Sequence, residues 1–234
     1  MRPVTAASWD LTPVAARRLQ EELREKVIVA GGPAPEAVSS VAGLDVSFDK
    51  KKGVLCAAVV VLRLPEFAVV ERGTAVVPAA FPYVPGLLAF REGPALVKAL
   101  EEIQTVPDLL VFDGQGIAHP RGLGIASHLG VLFRRPSIGI AKSLLVGEYD
   151  LPPPVRGGYS LLFYRGKPIG TVVRTRTGVK PVFVSPGHLV GIAEATRLAI
   201  ALSRKFRLPE PTRIAHKLCT ALRRHGGGGD LIGR

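Results

Sequence analysis

Between Pro107 and Lys142 the chain sets two short apolar runs around a glycine turn and a helical repeat, and few folds accept that order. Leu109 to Phe112 is apolar and ends on an acid, Asp113, with Gly114 and Gly116 directly behind it. Ile125, Leu129 and Leu132 then recur at helical spacing, and a second apolar run, Ser137 to Ala141, ends on Lys142. Strand, turn, helix, strand is the βαβ unit of a parallel pair. Such folds place their chemistry just past the C-terminal ends of the strands, which is where Asp113 and Lys142 fall.

A chain of 234 residues with 47% hydrophobic side chains is long enough to bury a substantial core, and residues 1–225 read as one domain. The last residues, 226–234, contain four consecutive glycines and read as a loose tail. No apolar run approaches the roughly 20 residues that span a bilayer, and the N-terminus lacks the apolar segment of a secretion signal, so no membrane partner is expected. Cys56 and Cys219 stand alone and form neither a zinc pattern nor a disulfide framework, which points to the reducing cytoplasm. Lysine and arginine number 31 against 19 acids, a net charge of +12; a balance this basic most often answers a polyanion, above all nucleic acid. Asparagine is missing altogether, a bias shared by thermophile proteins and GC-rich genomes.

Upstream of the central unit, Thr12-Pro13 caps a helix from Pro13 to about Ile28. Val41 to Phe48, Val54 to Leu64 and Phe67 to Val77 read as three strands joined by short turns, an antiparallel meander. Two prolines, Pro82 and Pro85, stiffen the next loop and present Tyr83. Gly93-Pro94 reads as the start of a helix carrying Leu96, Leu100 and Ile103. Downstream, Tyr159 to Tyr164, Ile169 to Thr175 and Pro181 to Val184 are strand candidates. Val190 to Ser203 is a helix, and Pro209-Glu210-Pro211-Thr212 caps a final one. These elements add up to an α/β fold with a mixed sheet of about five core strands covered by helices.

Asp45 is the first candidate for chemistry, because a carboxylate within an apolar strand needs a partner, a metal or a raised pKa. A central strand bearing Asp45 beside a parallel strand ending in Asp113 would bring two carboxylates to one cation, and oxygen-rich sites of this kind suit Mg²⁺ or Mn²⁺. Taken singly, Asp113 could equally cap a turn and Glu92 could be a first-turn acid favoured by the helix dipole. If Ile214, Leu218 and Leu222 form the buried stripe of the last helix, His216 lies about 200° away from Ile214 and is a surface or site histidine. His119 and His188 follow glycine turns and could meet a phosphate or cap a helix. Gly114 and Gly116 would let the backbone approach a ligand with N–H groups exposed.

Six blocks of the sequence resemble the endonuclease V family, the deoxyinosine 3′ endonucleases. They are GLDVSF around Asp45, FPYVPGLLAFRE from Phe81 to Glu92, DGQGIAHPRGLGIASHLG from Asp113 to Gly130, IGIAK ending at Lys142, SPGH at Ser185 to His188, and LPEPTRIAH ending at His216. Their common order, from about residue 40 to 217, makes the resemblance specific. It implies an RNase H-like fold and a DNA repair nuclease that nicks the second phosphodiester bond 3′ to deoxyinosine. It implies a Mg²⁺ site, with Mn²⁺ as the alternative ion, held by Asp45, Asp113 and Glu92 and completed by His216, with Lys142 near the active site. It also implies that Tyr83, beside Pro82, is a wedge into DNA, with Gly116 and His119 at the nucleic acid. Where the family commonly carries DGHG, this chain has Gln115, which cannot act as an imidazolium. A ribonuclease acting on inosine in RNA, or a non-catalytic nucleic-acid binder on the same scaffold, are the rival readings; a monomer is expected.

Overall fold

The computed structural model describes residues 1–4 and 8–225; the glycine-rich tail, 226–234, lies outside the described residues. β1 (Ser40–Asp49), β2 (Val54–Arg63) and β3 (Ala68–Pro78) form the expected antiparallel meander. β4 (Leu109–Phe112) and β5 (Ser137–Ala141) run parallel to β1, joined by a crossover through α3 (Ile125–Phe133). α2 (Leu88–Glu101) makes the crossover from β3 to β4, and α1 (Pro13–Arg24) precedes the sheet. The central unit therefore has the βαβ form that its sequence dictates.

The sheet is larger than the five strands expected. β6 (Glu148–Tyr149), β7 (Tyr159–Tyr164), β8 (Lys167–Val173) and β9 (Val182–His188) extend it to nine, in the order β3-β2-β1-β4-β5-β9-β8-β7-β6. The join is β9, antiparallel to β5. Ser185-Pro186-Gly187-His188 reads as a turn because proline cannot donate to a ladder. It stays in the strand because the β5–β9 register shifts between Ser137 and Ile138, opposite Pro186 and His188; a bulge is where a sheet tolerates proline.

Both faces of the sheet are covered, which explains the continuous apolar runs of its central strands. Leu44, Leu110 and Phe112 pack with Leu96, Leu100, Ile125 and Leu129 under α2 and α3. Val41, Leu109, Val111 and Ile140 pack on the opposite side with Leu198 and Leu202 of α4 (Ile192–Leu202) and Ala215 of α5 (Glu210–His225). Gly43 brings α5 onto β1: a Cβ there would stand 2.1 Å from the Pro211 carbonyl carbon.

Two helix readings change in ways that matter for the site. α2 starts at Leu88 and carries Pro94 inside it, so Glu92 is an interior helix residue and not an N-terminal one. Gly93-Pro94 imitates a helix start, but Leu87, Ala89 and Phe90 are buried together with Leu96 and Leu100, and that packing carries the helix through the proline. Gly93 has its own reason, since a Cβ would come 2.5 Å from the Trp9 ring. In α5 the fully buried stripe is Ala215, Cys219 and Leu222, with Ile214 and Leu218 only partly buried. His216 therefore stands about 100° from Ala215, on the flank of the buried stripe and not opposite it.

Candidate active site

The register Leu44↔Phe112 between β1 and β4 sets Asp45 beside Asp113. β4 stops there while β1 runs on, and the Asp113 N–H donates to the Leu44 carbonyl at 3.1 Å. Parallel neighbours lie about 4.8 Å apart, so two acids share one end of the sheet. Asp45 is buried and held from α5: His216 Nδ1 is 2.6 Å from Asp45 Oδ2, and Cys219 Sγ is 3.5 Å from the same oxygen. His216 and Cys219, three residues apart on one helical face, converge on Asp45 because Gly43 lets α5 lie close. Lys142, one residue past β5, forms an ion pair with Asp113. Arg207 steadies that corner by donating to the Lys142 carbonyl at 2.9 Å.

Glu92 approaches the pair from α2. Desolvation raises its carboxyl to about 8, reinforced by the charges of Asp45 and Asp113. Burial likewise pushes Asp45 up, with Asp113 adding to it and the His216 hydrogen bond opposing. Asp45 and Glu92, both disfavoured in the charged form with the Asp113 charge beside them, form a site that a cation would relieve. Among the described residues the tight set of possible ligand atoms, all within 4.8 Å, is Asp45, His216 and Cys219; Glu92 and Asp113 surround it without joining it. Oxygen donors from separate elements with nitrogen at the rim fit a hard divalent ion that keeps part of its water.

The second half of the site is the loop after β3. Tyr83 is 72% exposed, as its flanking prolines predict. The loop is clamped at Gly86, a residue with φ +77°, where glycine is favoured. The Gly86 carbonyl accepts from Gln20 Nε2 at 3.0 Å, His119 Nε2 at 2.9 Å and Arg121 Nη2 at 2.6 Å. Arg121 Nε also donates to Gln20 Oε1 at 2.6 Å. Because the Arg121 N–H donates to His119 Nδ1 at 3.2 Å, the proton of this ring sits on Nε2. Burial, and then the Arg121 charge, lower the His119 pKa to about 4, so it is neutral near pH 7. Both its ring nitrogens are engaged inside the protein, at the loop and on the wall of the adjoining cavity. Between the loop and the start of α3 lies a cavity of about 130 Å³, bordered by Tyr83, Gly86, Leu88, Gln115 and Ile125.

Gly116, expected to bare its N–H to a ligand, gives it instead to Ser185 Oγ at 2.9 Å. A Cβ at Gly116 would stand 1.9 Å from the Pro186 carbonyl, so the glycine serves the close approach of the turn to β9. His188 accepts from the Ile28 N–H at 3.2 Å and ties down the segment after α1. Of three further contributors, Gln20 and Cys219 lie outside the six sequence blocks and Arg91 lies within the second. Gln20 is 1% exposed, a polar residue on the buried side of α1, and that misplacement was its one available signal. Cys219 looked like ordinary core. Arg91 places its guanidinium 4.5 Å from the Phe48 ring centre and donates to the Phe81 carbonyl at 2.5 Å, joining the loop to β1 and to the helix of Glu92.

Comparison with known proteins identifies a family and a fold. The family described as Endonuclease V matches residues 21–217. The Endonuclease V of Trichormus variabilis is 50% identical over 212 residues, 91% of this chain and 96% of that protein. The crystal structure of Endonuclease V from Streptomyces avermitilis superposes with a TM-score of 0.90 at 43% identity, covering 97% of this chain and 100% of that one. Endonuclease V of Ciona intestinalis, solved with a 23mer DNA containing an inosine followed by a ribo-adenosine, gives 0.80 at 29% identity, covering 92% of this chain and 99% of that one.

Proposed function

The chain belongs to the endonuclease V family, and on that premise we propose that it nicks DNA at the second phosphodiester bond 3′ to deoxyinosine, the product of adenine deamination. The observation that carries this reading is the meeting of Asp45 and Asp113 at the shared end of β1 and β4, with Glu92 near enough for their charges to raise its carboxyl further. Asp45, Asp113 and Glu92 would hold the divalent ion, Mg²⁺ in the first place and Mn²⁺ as a substitute. Such an ion supplies positive charge to the scissile phosphate and activates water.

The remaining work falls to the chain itself. His216 commits Nδ1 to Asp45, which leaves Nε2 on the exposed side of the ring to accept a proton from the attacking water. Lys142 Nζ, at the mouth of the site beside Asp113, stabilises charge developing on the leaving 3′ oxygen. Tyr83 enters the duplex where the lesion base leaves the stack, and the neighbouring cavity receives that base. The basic surface holds the phosphates on either side. The enzyme acts as a monomer, in a reducing cytoplasm that suits two free, buried cysteines; no described helix is long and apolar enough to cross a membrane.

Inosine in RNA is the second reading, favoured by the ribo-adenosine next to inosine in the Ciona complex. The test is nicking of matched DNA and RNA oligonucleotides carrying one inosine, with Mg²⁺ and with EDTA. A metal-dependent nick in the DNA, absent from the adenine control, is expected. Cleavage that survives EDTA, or that ignores inosine, would contradict the proposal.

A further inference from the structure

Two elements carry positive charge to one place beyond the acids. β1 runs four residues past Asp45 to Asp49, about 13 Å of strand, and the chain then turns through Lys50, Lys51 and Lys52, all exposed. Asp49 Oδ1 fixes that turn by accepting from the Lys51 N–H at 3.0 Å and the Lys52 N–H at 3.2 Å. α5 lies along the same strand, with Pro211 against Gly43 and Cys219 against Asp45. His216, Thr220 and Arg223 follow one another at i, i+4 and i+7. Arg223 therefore shares the helix face of His216 and stands about 10 Å further along the axis. The hairpin and the helix enclose a cavity of about 110 Å³, bordered by Asp49, Lys52, Cys56, Val76, Leu222 and Arg223. Neither Lys52 nor Arg223 forms an ion pair among the described residues. Arg223 lies beyond residues 21–217, which the family matches, and both cations lie outside the six sequence blocks.

Resting on the nicking reaction proposed above, we propose that Lys52 and Arg223 form a seat for one DNA phosphate of the nicked strand, on the 3′ side of the nick. Tyr83 and the cavity beside it lie with Ala89 and Ile125 on the α2 and α3 side of the sheet, and α5 covers the other side. A strand that passes from the lesion over Asp45 and Asp113 leaves toward α5. The nick lies 3′ to the lesion, so the leaving arm is the 3′ arm. Phosphates of one strand follow at about 3.4 Å of helix axis, which puts the seat about three or four phosphates past the scissile bond. Lysine supplies a compact charge there, and arginine a planar fork that can engage two phosphate oxygens. The seat meets charge and not base edges, so it adds affinity and register without adding discrimination.

The test pairs a protein change with a backbone change. Inosine duplexes carry one uncharged methylphosphonate linkage, placed in turn at successive phosphates 3′ of the nick and, as controls, 5′ of the inosine. Wild type and the double variant Lys52→Ala with Arg223→Ala are titrated with them in EDTA. Wild type should lose roughly tenfold in affinity at one linkage, about the third or fourth 3′ of the nick, the order of one charge-assisted hydrogen bond. The variant should bind the unmodified duplex roughly tenfold more weakly and ignore that linkage to within about twofold. Its salt dependence should be shallower by about one counterion, with the preference for inosine over adenine unchanged. A wild type indifferent to every 3′ linkage, a sensitive linkage that lies 5′ of the inosine, or a variant that loses as much as wild type at the sensitive linkage would overturn the seat. Lys52→Gln with Arg223→Gln, polar and uncharged, repeats the comparison should the alanine variant fold poorly. A wild type that holds inosine and adenine duplexes equally would overturn the nicking reading itself; a wild type that prefers inosine while the variant matches it at every linkage overturns only the seat.

Discussion

The two halves of the site are built by different means. Asp45 and Asp113 are placed by sheet register, through main-chain pairing between β1 and β4, and a strand cannot slip by one residue without exchanging the side chains of its two buried faces. The loop of Tyr83 has no ladder. It is placed by two carbonyls, that of Gly86, gripped by side chains from α1 and from the turn after β4, and that of Phe81, held by Arg91. The chemical half is thus as rigid as the fold, while the recognition half depends on a few removable contacts. Changes in the first should stop cleavage and spare binding; changes in the second should weaken the engaged duplex and spare the chemistry.

The sharpest way to break this contrast is at the acids. Asp45→Ala or Asp113→Ala should lower single-turnover nicking of an inosine duplex by about a thousandfold or more, while affinity stays near wild type. Near-normal turnover in Mg²⁺ by either variant would remove these residues from the metal site.

Tyr83→Ala tests the other half. Aromatic stacking is worth roughly 1–3 kcal/mol per base, so affinity for an inosine duplex should fall by about one to two orders of magnitude, and by much less for single-stranded inosine DNA. The metal requirement should not move. Equal losses on both substrates would mean that the ring supports the strand in general and does not open a stack.

The clamp gives a smaller and more selective effect. Gln20→Ala leaves Gly86 two of its three donors and frees Arg121 Nε, at a net loss of about 1 kcal/mol per hydrogen bond. Duplex affinity should drop several-fold, with the rate of the bound complex unchanged. A fall in that rate at saturating protein would tie the clamp to the acids and erase the distinction.

The least effect concerns stability without metal. The Glu92 carboxyl, ordinarily near 4.5, is raised to about 8 in the folded protein. Between those values the native state keeps a proton that the unfolded chain has released, so stability falls as pH rises. In EDTA the melting temperature of wild type should decline from pH 5 to pH 8, and Glu92→Gln should flatten that slope. Parallel slopes for the two proteins would show that Glu92 is not the titrating group.

Much of this was legible in the sequence, for identifiable reasons. The βαβ core, the meander and Asp45 as an acid in an apolar strand follow from periodicity and from the cost of a lone buried charge. Tyr83 followed from its prolines. What stayed hidden depends on contacts between distant residues. Pro186 and Gly187 look like a turn until β5 lies beside them with its bulge. Gly93-Pro94 imitates a helix start until the packing of Phe90 and Trp9 is known, which is why Glu92 was expected one turn away from its true setting. The stripe of α5 reads one position off in the sequence because Ala215 and Cys219 are small, and the larger Ile214 and Leu218 dominate the pattern. Gly116 and His119 sit in the right motif, yet their polar atoms are spent on Ser185 and Gly86, which no local spacing reveals.

The most direct test of the separation is the binding preference of Asp113→Ala, taken as the ratio of affinities for duplexes that differ only by inosine or adenine at one position. Wild type and variant are compared in EDTA, where neither cleaves. If recognition resides in the loop and cavity, the ratio for the variant should stay within about threefold of wild type, a change worth under 1 kcal/mol. A ratio that collapses toward one would contradict the account, because it would place the discrimination of inosine at the acids.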